Sequence, residues 1–137
     1  MVDNKVIKKM AKYKVSHKRA IQVFLHVTKI MHELADKEIE LISLLLESFV
    51  KMFKLYNDID KAWKEVFDYD NKLVLMATLN MNKQVFNNYL TKLRNKGVIK
   101  NNMVVPAYNP FANPLCEKLE LIFSLELTDG EPSTVPA

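Results

Sequence analysis

Residues 82–95 contain the side chains whose types and spacing could carry binding chemistry, and they include no carboxylate. Asparagine and glutamine amides can pair with the edge of adenine through two hydrogen bonds, and lysine and arginine can hold phosphate oxygens. Spacings of three and four residues predict a helix with one apolar stripe and one polar face. The predicted stripe comprises Val85, Phe86, Tyr89, Leu90 and Leu93. The candidate nucleic-acid-binding residues, on the polar face and just beyond it, are Lys83, Gln84, Asn87, Asn88, Thr91, Lys92, Arg94, Lys96, Lys100, Asn101 and Asn102.

Both ends of this predicted helix are marked in the sequence. Asn82 suits the N-cap, since its side-chain oxygen can accept a backbone N–H of the first turn. Gly97 suits the left-handed residue that ends a helix, and Lys96 just before it complements the negative end of the helix dipole. The helix is therefore predicted to span about residues 82–96, with Asn95 also on its polar face.

Two further elements flank this helix. Residues 98–105 place β-branched residues on both sides of an Asn101-Asn102 pair. Because asparagine tolerates the positive φ of a two-residue turn, this segment is predicted to form a small β-hairpin. Residues 71–79 predict a shorter helix before Asn82. The predicted order is thus a helix, a tight turn, a second helix and a hairpin.

Residues 72–105 resemble the winged helix-turn-helix superfamily, whose second helix often ends in a pattern of the form LxxKGxI, matched here by residues 93–99. The resemblance implies a recognition helix over 82–96 that enters a DNA major groove, and a wing over 98–105. One departure is the apolar run 73–76, where many members have a Glu-Leu-Ala pattern; Ala77 supplies the small residue for packing between the helices. The bias towards Lys and Asn and the compact size are similar to those of bacteriophage proteins from AT-rich genomes.

Helices are also predicted on the N-terminal side. Residues 16–32 carry apolar residues at both helical and alternating spacings, so helix and strand compete, and we favour a helix. Asp36 is predicted to cap a longer helix whose residues 39–53 are apolar on most sides, which is typical of burial on more than one face. This helix is either the centre of the domain or the core of an oligomer, and we favour the first. A short helix over 61–67 would carry Trp63.

On the C-terminal side, prolines punctuate an irregular connection, and apolar residues then alternate with polar ones over 119–127, which predicts a strand. This strand could join the wing sheet or pair with another subunit. The predicted fold class is therefore mainly α with a small β-sheet, a winged helix-turn-helix with N-terminal helices and a C-terminal strand. The predicted domains are a basic arm over 1–14, which could equally be a short helix, a single winged-helix-like domain over 15–127, and a flexible tail over 128–137.

The net charge of +4 conceals a segregation of charge along the chain. Residues 1–20 carry seven basic residues and one acidic residue, whereas residues 71–116 carry six basic residues and no acidic residue. Residues 21–70 and 117–137 each carry a net charge of −4. Positive charge concentrated on the arm and the predicted recognition helix is typical of nucleic-acid binding, and a solvated lysine-rich surface is the simpler alternative.

The sequence gives little support for catalysis, metal binding or membrane insertion. His17, His26 and His32 lack the spacing of a metal-binding helix motif, and two glycines are too few for a phosphate-cradling loop. The single Cys116 cannot form an internal disulfide and fits a reducing cytoplasm. No apolar run approaches the roughly 20 residues of a membrane span. We therefore expect no enzyme, no metal, no cofactor and no membrane partner.

Two functions remain open. The favoured one is a protein that binds double-stranded DNA, as a transcriptional regulator or replication factor in the host cytoplasm, because residues 71–116 contain no acidic residue. The alternative is a non-catalytic phage structural or assembly protein that uses the winged fold for protein docking in the virion. The apolar helix over 39–53 and the alternating segment over 119–127 favour this alternative. Its partners would be further copies of the chain or a larger protein assembly.

Overall fold

The computed structural model describes residues 6–111, 113–122 and 125–127. The regular structure in these ranges is helical. The elements are α1 (His17–His32), α2 (Asp36–Tyr56), α3 (Ile59–Val66), α4 (Tyr69–Leu79), α5 (Lys83–Asn95) and a short 3₁₀ helix (Pro106–Tyr108). None of the helices in the described ranges is long and apolar enough to cross a membrane.

Helix α2 is the centre of the fold, as predicted, since α1, α3 and α4 all pack against it. Its buried residues include Leu41 and Val50, which the helical repeat places on opposite sides of the helix, and Phe49, which lies between them. The Phe49 ring stacks on Trp63 of α3 with centroids 4.3 Å apart, and this contact joins the two helices. The predicted cap is wrong by one position: Ala35 is the N-cap of α2 and Asp36 is its first helical residue.

Helix α1 confirms the helical interpretation of residues 16–32. Ser16 caps it by accepting a hydrogen bond from the Arg19 N–H at 3.1 Å. Ile21 and Leu25 are fully buried against the core, whereas the alternating residues Val23 and Val27 are exposed. The helical period therefore decides which side chains are buried, because α2 covers only one side of α1.

Helices α4 and α5 are joined by a turn of three residues, 80–82. Asn80 adopts the left-handed conformation with φ 53°, and the Met81 N–H donates to the Met76 carbonyl at 2.9 Å. These bonds satisfy the carbonyls at the end of α4, and asparagine takes the place that glycine often holds. The predicted sequence of helix, tight turn and helix is thus confirmed, with α4 beginning at Tyr69, earlier than predicted.

The predicted small β-sheet is wrong. Residues 98–105, which we call the 98–105 loop, contain one antiparallel bridge, Ile99 with Val104, and its flanking backbone hydrogen bonds, but no strand. The tight turn itself is confirmed, since Asn101 and Asn102 both have positive φ, as a two-residue hairpin turn requires. The arms do not lengthen into strands because the Val98 N–H donates to the Leu93 carbonyl at the end of α5, and because the 3₁₀ helix begins at Pro106 directly afterwards.

The predicted C-terminal strand is also wrong. Residues 119–122 and 125–127 form no strand and pair with no neighbouring strand in the ranges described. Alternation of apolar and polar residues favours a strand only where another edge supplies hydrogen bonds, and the helical fold offers none here. The predicted winged fold class is therefore replaced, over the described residues, by an arrangement of helices. The predicted tail over 128–137 lies outside those residues.

Candidate nucleic-acid interface

Helix α5 is fixed at both ends by its own sequence. Asn82 Oδ1 accepts the Val85 N–H at 2.8 Å, which confirms the predicted N-cap. At the other end Gly97 has φ 76°, the Val98 N–H donates to the Leu93 carbonyl at 2.9 Å, and the Gly97 N–H donates to Arg94 at 3.1 Å. This pair of bonds is the Schellman termination, and it uses the left-handed glycine that the sequence predicted.

The inner side of α5 anchors it to the core. Phe86, Leu90 and Leu93 are almost completely buried. The predicted apolar stripe is too wide, however, because Val85 is 39% exposed and Tyr89 is only half-buried. Three residues at helical spacing therefore hold the helix, and the remaining circumference faces solvent.

The outer side of α5 presents an uninterrupted polar face. The predicted candidates Lys83, Gln84, Asn87, Asn88, Thr91, Lys92 and Arg94 are all exposed, and so is Asn95. Steps of four, three and four residues place a subset of them in one line along the helix. This polar row consists of Gln84, Asn88, Thr91 and Asn95. Asn95 was missing from the predicted contacts, and its spacing from Thr91 is the signal that could have found it.

Basic side chains border the polar row on both sides. Lys83 and Arg94, eleven residues apart, lie along one edge, and Lys92 lies along the other. The Lys92 ammonium sits 5.0 Å from the centre of the Tyr89 ring, which steadies the lysine while leaving it exposed. The first turn of α5 contains no acidic residue, so the positive end of the helix dipole is not neutralised there.

Lys96 has a different environment from the other candidates. Its ammonium donates to Glu38 Oε1 at 2.7 Å and lies 3.4 Å from the Glu33 carbonyl oxygen. The Glu38 side chain is only 3% exposed, and its Oε1 also accepts the Ala35 N–H at 2.9 Å. A buried carboxylate needs a cation and hydrogen bonds, so Lys96 ties the end of α5 to the start of α2.

The ionisation of Glu38 reflects this contact. Burial raises the pKa of the Glu38 carboxyl, but the hydrogen bonds from Lys96 and Ala35 and the charges of Lys96 and Lys92 lower it. The second group of effects prevails, and the pKa lies below that of an ordinary glutamate. The other carboxylate oxygen, Oε2, is buried and has no hydrogen-bond partner among the residues that the structure describes. Glu38 is therefore ionised when it holds Lys96.

The 98–105 loop brings Lys100, Asn101 and Asn102 to the surface, where all three are exposed. The two asparagines line a depression of about 270 Å³ together with Asp60, Trp63, Lys64 and Met103. The turn therefore lies beside α3, close to the carboxylate of Asp60. The structure brings Lys100, Asn101 and Asn102 together at one turn of the 98–105 loop, and Lys100 is the one of the three that carries a positive charge.

The histidines show contacts at the edge of the core. His17 and His32 lie against the rings of Phe111 and Tyr108, at 4.8 and 4.3 Å between centroids. Desolvation lowers the pKa of His32. Among the residues described, no group of three or more histidine, cysteine or carboxylate side chains is close enough to hold a metal ion.

Comparisons of this chain with protein-family models, curated proteins and solved structures find no match. The resemblance of residues 72–105 to the winged helix-turn-helix superfamily stays a prediction from the sequence. Function is therefore inferred from the geometry of the interface.

Proposed function

We propose that the protein binds double-stranded DNA with α5 as its recognition helix, as a transcriptional regulator or replication factor. The observation that carries this proposal is the exposed polar row on α5, free of carboxylates and bordered by basic side chains. DNA combines a dense line of phosphates with base edges that amides can read. A face with this composition suits both features at once.

Each group on the face has a proposed role. The Thr91 hydroxyl and four amides would contact base edges in the major groove, the amides being those of Gln84, Asn87, Asn88 and Asn95. Lys83, Lys92 and Arg94, at the edges of the row, would contact phosphates of the two flanking strands. Lys100 and the asparagines of the 98–105 loop would add backbone contacts beside them.

Lys96 takes a positioning role in this proposal. Its ion pair with Glu38, together with the buried Phe86 and Leu90, fixes the orientation of α5 relative to α2. Base readout needs such rigidity, because a displacement of about 1 Å breaks two-point hydrogen bonds. The pair therefore supports recognition without contacting DNA.

The first test is fluorescence anisotropy on a random-sequence duplex across a salt series. The variant Lys83→Glu/Arg94→Glu reverses two charges beside the polar row, and we expect it to weaken binding and to flatten the salt slope by about two. The matched control, Lys51→Glu/Lys54→Glu, makes the same change in net charge at the far end of α2, and all three proteins are compared at concentrations at which they sediment as monomers. Lys51 lies roughly 20 Å along α2 from Glu38, the residue that contacts the end of α5. This distance exceeds the Debye screening length, so the control charges act only weakly on α5.

Equal losses in the two variants would mean that net charge, rather than α5, governs binding. Base readout has its own test on a selected site. Asn88→Ala, in the middle of the row, should reduce discrimination between specific and random DNA by about 1–3 kcal/mol. An equal loss on both kinds of DNA would remove Asn88 from the readout.

A second candidate function is a non-catalytic assembly protein, and the exposed apolar residues of α4 favour it. Tyr69, Leu73 and Val74 are 65%, 43% and 60% exposed. Apolar side chains grouped in this way on one helix are typical of a protein-docking surface. The salt series separates the two functions, because absence of DNA binding at low salt supports protein docking. If DNA binding is present and the variant Leu73→Ser/Val74→Ser binds DNA as tightly as the unchanged protein, the result supports α5 as the DNA-binding element.

A further inference from the structure

A second charged surface lies away from α5, at the end of α2. A groove of about 430 Å³ runs between the first turn of α1 and the last turns of α2. Its lining residues are His17, Lys18, Glu47, Val50, Lys51, Lys54 and Leu55. Three lysines face one glutamate, and the apolar part of the lining includes Leu55, which is 67% exposed. The groove, which we call the α1–α2 groove, is therefore both basic and apolar.

The C-terminal part of the chain passes the rim of this groove. His17, which lines the groove, has its Nε2 3.2 Å from the Pro114 carbonyl oxygen. Cys116 and Leu119 then pack against the core. Beyond them Ile122, Leu125 and Leu127 are 86%, 84% and 93% exposed. Large apolar side chains so exposed in one short segment are unfavourable in water.

The composition of this segment complements the groove. Residues 117–122 and 125–127, which we call the C-terminal segment, contain Glu117, Glu120 and Glu126 among the exposed apolar residues, against a single basic residue, Lys118. Lys118 is paired with Glu120 at 2.8 Å, so Glu117 and Glu126 carry the net negative charge. Leucines and carboxylates in the segment thus match an apolar and lysine-rich groove.

Among the described residues of one copy, nothing fills the α1–α2 groove or covers the exposed apolar residues of the C-terminal segment. None of the residues of the C-terminal segment lines the groove, although the chain passes its rim at Pro114. Leu119 of the segment packs against the hydrophobic core of the same copy, whereas Ile122, Leu125 and Leu127 are exposed to solvent. An occupant from a second copy can fill the groove without breaking any of these contacts.

We propose that the C-terminal segment of one copy binds the α1–α2 groove of a second copy, and that the exchange is reciprocal. A two-fold arrangement forms the same contact twice, which is why reciprocal exchange is an economical route to a dimer. Ile122, Leu125 and Leu127 cover the apolar lining, and Glu117 and Glu126 face Lys18, Lys51 and Lys54. This association does not depend on DNA binding.

Sedimentation equilibrium of the full chain tests the proposal through charge reversal. The groove variant is Lys51→Glu/Lys54→Glu, and the segment variant is Glu117→Lys/Glu126→Lys, which spares the Lys118–Glu120 pair. In each variant like charges meet, so we expect the dimer dissociation constant to rise by about tenfold or more. Mixed in equal amounts, the two variants should form a heterodimer, because each contact then joins opposite charges again.

Circular dichroism establishes that both variants fold, and Lys83→Glu/Arg94→Glu is the matched control for net charge. The control should dimerise like the unchanged protein. A monomeric unchanged protein would overturn the proposal, and so would a dimer that neither charge reversal weakens. Failure of the mixed variants to associate would also overturn it, since only exchange between copies predicts that rescue.

Discussion

Two ion pairs along α2 hold glutamate and lysine side chains in contrasting ways. At the start of the helix Glu38 is 3% exposed and its carboxylate lies 2.7 Å from the Lys96 ammonium. In the middle of the helix Glu47 is 26% exposed and lies 4.0 Å from Lys18, beside the α1–α2 groove. The first pair has a buried carboxylate and fixes α5, whereas the second is loose and hydrated. Charge pairs of the same chemistry therefore serve structure at one position and remain available for binding at the other.

Removing Glu38 should have the largest effect on this contrast. Glu38→Ala deletes the partner of Lys96 and the hydrogen bond to the Ala35 N–H, and we expect a loss of about 2–3 kcal/mol in the free energy of unfolding. The figure lies below that of a fully buried pair because the Lys96 side chain is 41% exposed. Glu47→Ala should change stability by less than about 0.5 kcal/mol. Urea unfolding measures both, and similar losses would erase the contrast.

Acid should weaken the first pair in a defined direction. A folded pKa below the ordinary value of 4.5 means that Glu38 contributes its full stability above that pH and loses it as the pH falls through the lower folded pKa. The stability difference between the unchanged protein and Glu38→Gln should therefore shrink below about pH 4.5. Asp36 and Glu120, whose pKa values are also lowered, are present in both proteins and cancel in the difference. A difference that stays constant down to pH 3 would show that the charge of Glu38 contributes nothing.

Gly97→Ala should cost about 1–2 kcal/mol. A Cβ at this position would meet no atom within 4 Å, so the cost is that of the left-handed backbone alone. Thermal unfolding measures the loss. If Gly97→Ala also weakens DNA binding, the termination of α5 at Gly97 contributes to the orientation of the helix. A substitution that leaves the free energy of unfolding unchanged would contradict the left-handed termination assigned to Gly97.

Ala35→Ser should have the smallest effect, and in the stabilising direction. Glu38 already reaches back to the Ala35 N–H, but alanine has no side-chain oxygen to accept the N–H three residues later. Serine would complete the reciprocal capping box and add about 1 kcal/mol of stability at the end of α2 that holds α5. Ala35→Val, which supplies no acceptor and suits the extended backbone of Ala35, is the control, and an equal gain from valine would exclude capping as the cause.

The contrast between confirmed and overturned predictions has a physical cause. Helix α5 was predictable because Asn82, Gly97 and the apolar spacing act within one short stretch of chain. The alternation over 119–127 was misleading because a strand needs a partner edge, which no local pattern reveals. The tight turn at Asn101-Asn102 formed for local reasons, yet it did not produce a sheet.

In the candidate interface, too, features set within one short stretch of chain were predictable, and features that need a distant partner were not. The spacing of polar residues predicted which side chains of α5 reach solvent. The sequence could not show that Lys96 is held by Glu38, because the two residues are 58 positions apart and meet only when the folded chain brings the end of α5 to the start of α2. The α1–α2 groove was likewise hidden, since it is formed by two helices whose lysines look like ordinary surface charge in the sequence.

The most direct test of the central claim is an NMR titration of the labelled protein with a short duplex, following the side-chain amide signals. Gln84, Asn88 and Asn95 each carry an NH₂ group that reports contact at its own position. We predict that these signals shift together on addition of DNA, while the backbone signals of Lys51 and Lys54 do not move. Shifts confined to the basic arm over 1–14 or to the α1–α2 groove would contradict the assignment of α5 as the recognition helix.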